Sequence, residues 1–315
     1  MSVEEKDCGL VLDEMSIDEA NEFCQNTKQF VGTTTLPMSQ TLACKALVFM
    51  LVGIAARWKQ VVAFEYTGNS IQKEFLKNAV LSAVSRAVGI SLRVHFITTD
   101  SGSENQRMWK DLGIDIRRKN ETLNAAIPHP NAENRMLEII PDPVHVFKNT
   151  VHGWLNNVYL KVPDWYVREK KLTSNIVHRD HLTTIVNSEI NNTLRLCHRL
   201  TASDVCFDNR TSSIDKMKVC NATKYCNRTV AAALKFHAEI RELPELLTTA
   251  CFIEDFARWF ELINNRAEEK VFCLNDPMKY DEDIAHLKTM VRLMYDLQVG
   301  HGHWKPWQTI PSHFL

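Results

Sequence analysis

Between residues 70 and 90 the chain reads SIQKEFLKNAVLSAVSRAVGI, with Ile71, Phe75, Leu76, Ala79, Val80, Ala83, Val84 and Ala87 recurring at helical spacing. This is an amphipathic helix, with Ser70 placed as its N-cap and Gly89 as its stop. Its flanks constrain the fold more than the helix does. CGLVLDEMSI (8–17), ACKALVFMLVGIA (43–55) and KQVVAFEYTG (59–68) precede it as strands, with QFVGTTTL as a weaker turn or strand, and SLRVHFITTD (91–100) comes after it as another. A group of strands, one long helix and a returning strand predict an α/β sandwich whose last strand pairs with the first.

Two of those strands run into acids. Asp13 and Glu14 end the aliphatic run of the first, and Asp100 ends the last, so the expected pairing brings Asp13 and Asp100 together. A carboxylate desolvated among apolar residues is costly unless it is paired or binds a cation. Two neighbouring ones repel, and a divalent cation relieves that repulsion. The plainer alternative is a strand-end carboxylate that faces water. Glu14 is expected on the opposite face of the strand from Asp13.

After a loop and short helix in SGSENQRMWKDLG, the polar, proline-containing NETLNAAIPHPNAEN marks a boundary, and a first domain is placed at 1–138. From about residue 140 the patterns are helical: DPVHVFKNTVHGWLNNVYL, HRDHLTTIVNSEINNTLRLCHRL, SIDKMKVCNATKYCNRTVAAALKFHAEI and TACFIEDFARWFELINNRAEE. The mostly helical part is placed at 139–275, and a last helix with a tail rich in Gly, Pro, His and Trp at 276–315. In DPVHVFKN, Asp142 is placed as N-cap, Pro143 in the first turn, and His145 and Lys148 on one face. That face is either a solvated stripe or a surface aimed at a nucleotide. HRDH (178–181) has no zinc-finger partners, Cys220 and Cys226 read as packed thiols, and no Walker, GxGxxG or GxSxG motif occurs.

At 315 residues and a net charge of -1, from 37 basic and 38 acidic residues, the chain exerts no global attraction on nucleic acid or membrane. A DNA partner would need a local basic surface; RRK (117–119), REKK (168–171) and KMK (216–218) are the clusters on offer. The first residues lack the features of a signal peptide and the apolar block at 46–56 is too short to span a bilayer, so an intracellular protein with no membrane contact is expected. Nine cysteines, an odd number, fit reduced thiols.

LDEMSI, ITTDSGSENQRMW, DPVHVFKN, SIDKMKVCNATKYCNRTVAAAL, FIEDFARWFELINNR and WKPWQT, in this order, resemble the P-element-like DNA transposases that carry a THAP zinc finger. The resemblance implies an α/β RNase H-like sheet domain interrupted by a mostly helical, GTP-binding insertion. It implies magnesium-dependent cleavage and strand transfer at transposon DNA ends, a nuclear location and a homo-oligomer. Carried onto this sequence, it makes Asp13 and Asp100 catalytic metal ligands and Asp142 and Lys148 nucleotide contacts, with Lys161, Val162, Asp208 and Asn209 as further ones. It also implies a THAP finger and coiled coil ahead of the first strand, and a third acid, a Glu, beyond WKPWQT. No residue here corresponds to that acid, so a truncated core is expected, its sheet showing an exposed apolar face. The alternative function is a catalytically inactive, transposase-derived protein that binds nucleotide or protein.

Overall fold

The computed structural model describes residues 1–71, 73–114, 124–207, 218–264, 272, 275–300 and 302–307. The chain forms two compact units, Met1–Asp142 and Pro143–Leu315.

The first unit is built on a six-stranded sheet. Its strands are β1 (Asp7–Ser16), β6 (Lys45–Gly53), β7 (Lys59–Thr67), β8 (Arg93–Thr99), β9 (Ala126–Pro128) and β10 (Met136–Pro141), in the order β7-β6-β1-β8-β10-β9. Between β1 and β6 lie two small hairpins, β2 (Glu22–Cys24) with β3 (Gln29–Val31) and β4 (Thr33–Thr35) with β5 (Met38–Leu42). Strands β7, β6 and β1 run antiparallel, whereas β1 pairs parallel with β8 and β8 parallel with β10. Parallel neighbours need a crossover, and the amphipathic segment supplies it as α1 (Lys73–Gly89).

Alternation then sorts the side chains. Cys8, Leu10 and Leu12 of β1, Leu47, Phe49 and Leu51 of β6, Ile97 of β8 and Ile139 of β10 are buried on one face. Ala79, Ala83 and Ala87 of α1 line a cavity with Phe49 and Leu51, which places the helix over this face. Each fully buried Leu or Phe contributes roughly 1.5–3 kcal/mol. The other face carries the rows Val61, Met50, Val11, Thr98, Ile140 and Phe64, Val48, Asp13. Here Phe64 is 58% exposed, Met15 59% and Ile140 40%, the open apolar face expected of this sheet.

Strand β9 went unread within the stretch treated as a polar boundary, and β10 just after it. Burial in β10 alternates strictly, and its pairing with β8 carries the first unit on to Asp142, past the expected edge at 138.

The second unit is mostly helical. Its helices are α3 (Pro143–Asn157), α4 (Asp164–Lys170), α5 (Asp180–Glu189), α6 (Val219–Tyr225), α7 (Arg228–Ile240), α8 (Leu246–Asn264) and α9 (Pro277–Asp296); α2 (Ser103–Asp111) belongs to the first unit. Helix α8 forms the spine, with Phe252, Ile253, Phe256 and Trp259 buried. Phe147 of α3 stacks on Phe260 at 4.0 Å and on Phe256 at 5.4 Å between ring centroids.

The single long helix expected across 213–240 is broken. Asn227 turns its side-chain oxygen to the Val230 N–H at 3.0 Å and starts α7 as an N-cap, which ends α6 at Tyr225. The helix expected from residue 178 to 200 stops at Glu189. A four-stranded sheet, unread in the sequence, runs β12-β11-β13-β14 and joins Tyr159–Lys161 (β11), Ile176–His178 (β12), Gln298–Val299 (β13) and Lys305–Pro306 (β14). The described part of 276–315 is thus built into the second unit.

Cys226 is buried in this core, but Cys220 is exposed rather than packed. No disulfide joins the described cysteines. Asp283 of α9 is buried and accepts hydrogen bonds from Arg258 and the Phe272 N–H. Among the described residues no helix is long and apolar enough to cross a membrane.

Glu189, the last residue of α5, anchors a buried pair. Its carboxylate is buried, one oxygen 2.9 Å from His237 Nε2 and the other accepting the Cys197 N–H at 2.9 Å. Removing one partner of such a pair strands the other in the core. Glu189→Ala is expected to cost about 3–5 kcal/mol in chemical denaturation. Replacing both Glu189 and His237 by apolar residues should cost markedly less.

Candidate active site at the carboxyl ends of the parallel strands

Leu10 of β1 lies opposite Ile97 of β8, and Val11 opposite Thr98. Two residues past these last paired positions come Asp13, still in β1, and Asp100, in the loop just beyond β8, near the carboxyl ends of the two strands. Ligands of open α/β sheets gather at such ends, where loops diverge and backbone groups are released from the ladder.

Asp13 is exposed and stands on the open face beside Val48 and Met50. Among the described residues it makes no hydrogen bond or ion pair. Asp100 is half-buried in the loop between β8 and α2. Its Oδ1 accepts the Gly102 N–H at 3.0 Å and the Asn105 side-chain amide at 2.6 Å, which fixes the carboxylate; its Oδ2 receives no hydrogen bond from the described residues. A Cβ at Gly102 would sit 3.0 Å from Asp100 Oδ1, a tight contact that the carboxylate would have to shift slightly to relieve.

Glu14 points to the helix-covered face. Its Oε2 accepts from Lys45 Nζ at 3.0 Å, and both line a cavity of about 270 Å³ with Asp100 and Glu104. Partial burial pulls the Lys45 ammonium down, but the hydrogen bond and charge of Glu14, with Glu104 behind, hold its pKa above the ordinary lysine value.

A third acid of β1, Asp7, sits at the opposite end of the strand. Arg93 Nη2 approaches its Oδ2 at 2.6 Å and His95 Nε2 its Oδ1 at 2.6 Å. The His95 hydrogen bond depresses its pKa most; burial opposes it and Arg93 reinforces it. Acid neutralised within the fold is therefore what β1 shows at both Asp7 and Glu14, and Asp13 is the exception.

As a set of hard oxygen donors, the exposed Asp13 carboxylate and the unengaged Asp100 oxygen fit a magnesium ion. Among the described residues, no three of His, Cys, Asp and Glu gather into a metal-holding group.

The described residues expected to touch nucleotide run from Asp142, the last residue of the first unit, to Val162 in the second. Asp142 directly precedes α3, and its N–H donates to the Thr99 carbonyl at 2.8 Å. Lys148 is buried at 8% exposure rather than lying on a solvated stripe. Lys161 stands with its ammonium 5.8 Å from the Trp304 ring centroid, a cation over an aromatic face. Val162 is fully buried, and its N–H donates to the Asn175 carbonyl. Asp208 and Asn209 lie outside the described residues. Sequence reasoning missed Lys45, whose partner is fixed only by the pairing of β1 with β6.

Residues 1–113, which contain both Asp13 and Asp100, match the family model described as TNP-like, RNase H N-terminal domain. No curated protein matches the sequence. Among solved structures, the whole chain superposes on a chain of the Drosophila P element transposase strand transfer complex with a TM-score of 0.75 and 18% sequence identity. The match covers 100% of this chain and 64% of that one, so this chain spans less than two thirds of that protein's length. Residues 1–113 are thus similar to the TNP-like RNase H N-terminal domains, and the chain shares its fold with that transposase chain.

The Asp7 clamp gives a pH signature. A folded pKa below the unfolded value contributes stability that is present above the unfolded pKa and lost as pH falls through the folded one. Asp7→Asn should lower the melting temperature at pH 7, and the gap to the wild type should close as both are taken below about pH 4.

Proposed function

We propose that this chain is the core of a P-element-like DNA transposase, which cleaves DNA and transfers the resulting 3′-hydroxyl to a target strand with magnesium as cofactor. The observation that carries this reading is the parallel pairing of β1 with β8, which ends at Val11 and Thr98, two residues before Asp13 and Asp100. A bound magnesium pair would supply activation of the attacking oxygen and stabilisation of the leaving one.

In this reading the chain's own residues do the rest. Asp13 offers a carboxylate to which the described residues give no counter-charge. Asp100, held by Gly102 and Asn105, offers one oriented oxygen. The DNA partner is supported by the likeness to a transposase whose structure is a strand transfer complex. The helical unit is read as an insertion that binds GTP, with Asp142, Lys148, Lys161 and Val162 as the contacts that the resemblance points to. Lys161 beside Trp304 offers a cation and an aromatic face, the two surfaces that phosphates and a purine use.

Two measurements test the reading. Purified chain should nick or join labelled DNA in magnesium. Asp13→Asn and Asp100→Asn should each lose about a thousandfold in rate, the several kcal/mol that metal-held charge stabilisation is worth. Equal residual activity in wild type and both variants would sink it.

Millimolar GTP should raise the melting temperature of the wild type, and Lys161→Ala should reduce the shift. A GTP shift without any DNA cleavage would instead favour a catalytically inactive, nucleotide-binding regulator derived from a transposase.

A further inference from the structure

Between α1 and strands β6 and β7 the first unit holds a cavity of about 350 Å³, on the face of the sheet opposite Asp13. Its walls are Phe49 and Leu51 of β6, Val62 and Ala63 of β7, and Ala79 and Ala83 of α1. The hollow follows from side-chain size. Leu76, Val80 and Val84 form the buried row of α1, each at most 2% exposed. The neighbouring row on the β7 side carries alanines, which are too short to fill the space down to the sheet. Sites for small ligands are concave, mostly apolar and roughly 300–1,000 Å³ in volume, with few polar groups, and this cavity has that character.

Two charged side chains line it, Glu65 and Arg86. Glu65 is engaged, its Oε2 accepting the Thr35 hydroxyl at 2.6 Å. Arg86 makes no hydrogen bond or ion pair among the described residues. The two stand toward different ends. Leu47, opposite Glu65 in the β6–β7 ladder, shares a second cavity with Leu76 near the start of α1, and Arg86 lies about 15 Å farther along the helix axis than Leu76.

We propose that this cavity binds an amphiphilic monocarboxylate, its unbranched apolar body between α1 and the sheet and its carboxylate on the Arg86 guanidinium. The planar guanidinium offers two parallel N–H donors that match the two oxygens of a carboxylate. The apolar walls take the body out of water. Glu65 repels an anion at the other end, so the ligand lies in one direction. The site is independent of the metal ligands read at Asp13 and Asp100.

The test titrates octanoate and 1-octanol, which share an apolar body and differ in charge, into the full chain by calorimetry. Octanoate should bind the wild type about tenfold more tightly than octanol, the size of one charge-assisted pair at a partly exposed site. Arg86→Gln should bring octanoate to the octanol level and leave octanol unchanged. Ala83→Met, which fills the hollow, should abolish binding of both while keeping or raising the melting temperature. Phe64→Ala, on the open face, should change neither affinity.

No octanoate binding at millimolar concentration would overturn the proposal, as would octanol binding as tight as octanoate, or octanoate binding that survives Ala83→Met. Binding lost in Phe64→Ala and kept in Ala83→Met would put the ligand on the open face and overturn it too. Octanoate affinity that falls as protein concentration rises would assign the groove to a second copy of this chain instead. Ala79→Met takes the place of Ala83→Met if that variant melts early.

Discussion

The parallel pairing of β1 with β8 is the interaction on which the first unit depends. Leu10 and Ile97 lie opposite one another at the centre of the sheet with no exposed surface, and the register they set decides where every later residue of both strands falls. A slip of one residue would turn Leu10 and Leu12 out to the open face and bury Asp13 under α1, at a desolvation cost that no partner there offsets. Gly9 tightens the lock: a Cβ at that position would run into the Phe96 ring of the adjacent strand. The same pairing that buries the core thus delivers two acids to one end of the sheet.

Much of this was legible in the residues. Helical spacing from Ile71 to Ala87 and the aliphatic runs on either side imply one crossover and a returning strand, and the acids ending two of those runs mark the edge of interest. Less legible was anything fixed by partners distant in sequence. Strand β10 carries a clear period of two in Met136–Pro141, but its short length and the prolines and polar residues around it hid the signal. The strands of the second unit are only two or three residues long, too short for any periodicity, and exist because β11 finds β12 and β13. Glu189 reads as one more helical glutamate until His237 and the Cys197 N–H are placed around it.

Within the site, alternation alone puts Asp13 and Glu14 on opposite faces, yet it does not say which face is covered. That depends on the side α1 crosses, a matter of the handedness of a crossover rather than of any residue in β1. The open face has the same origin. Val11, Met15, Val48 and Met50 line the hollow with Asp13, so the carboxylate is rimmed by apolar groups, Met15 exposed among them. An apolar rim lowers the local dielectric around an acid and strengthens its attraction for a cation more than water alone would allow.

The three acids of β1 make the electrostatic design explicit. Asp7 receives a guanidinium and an imidazole, Glu14 receives an ammonium, and Asp13, between them in sequence, receives nothing from the described residues. Had the strand merely tolerated acids at its ends, Asp13 would be expected to draw a counter-charge as its neighbours do, since lysine and arginine are abundant in this chain. Asp100, which like Asp13 follows the β1–β8 pairing by two residues, has its carboxylate held in place by two amide groups. Oriented like charges on adjacent strands are electrostatically unfavourable by themselves. A multivalent cation lowers that cost, which is the role proposed for the two acids.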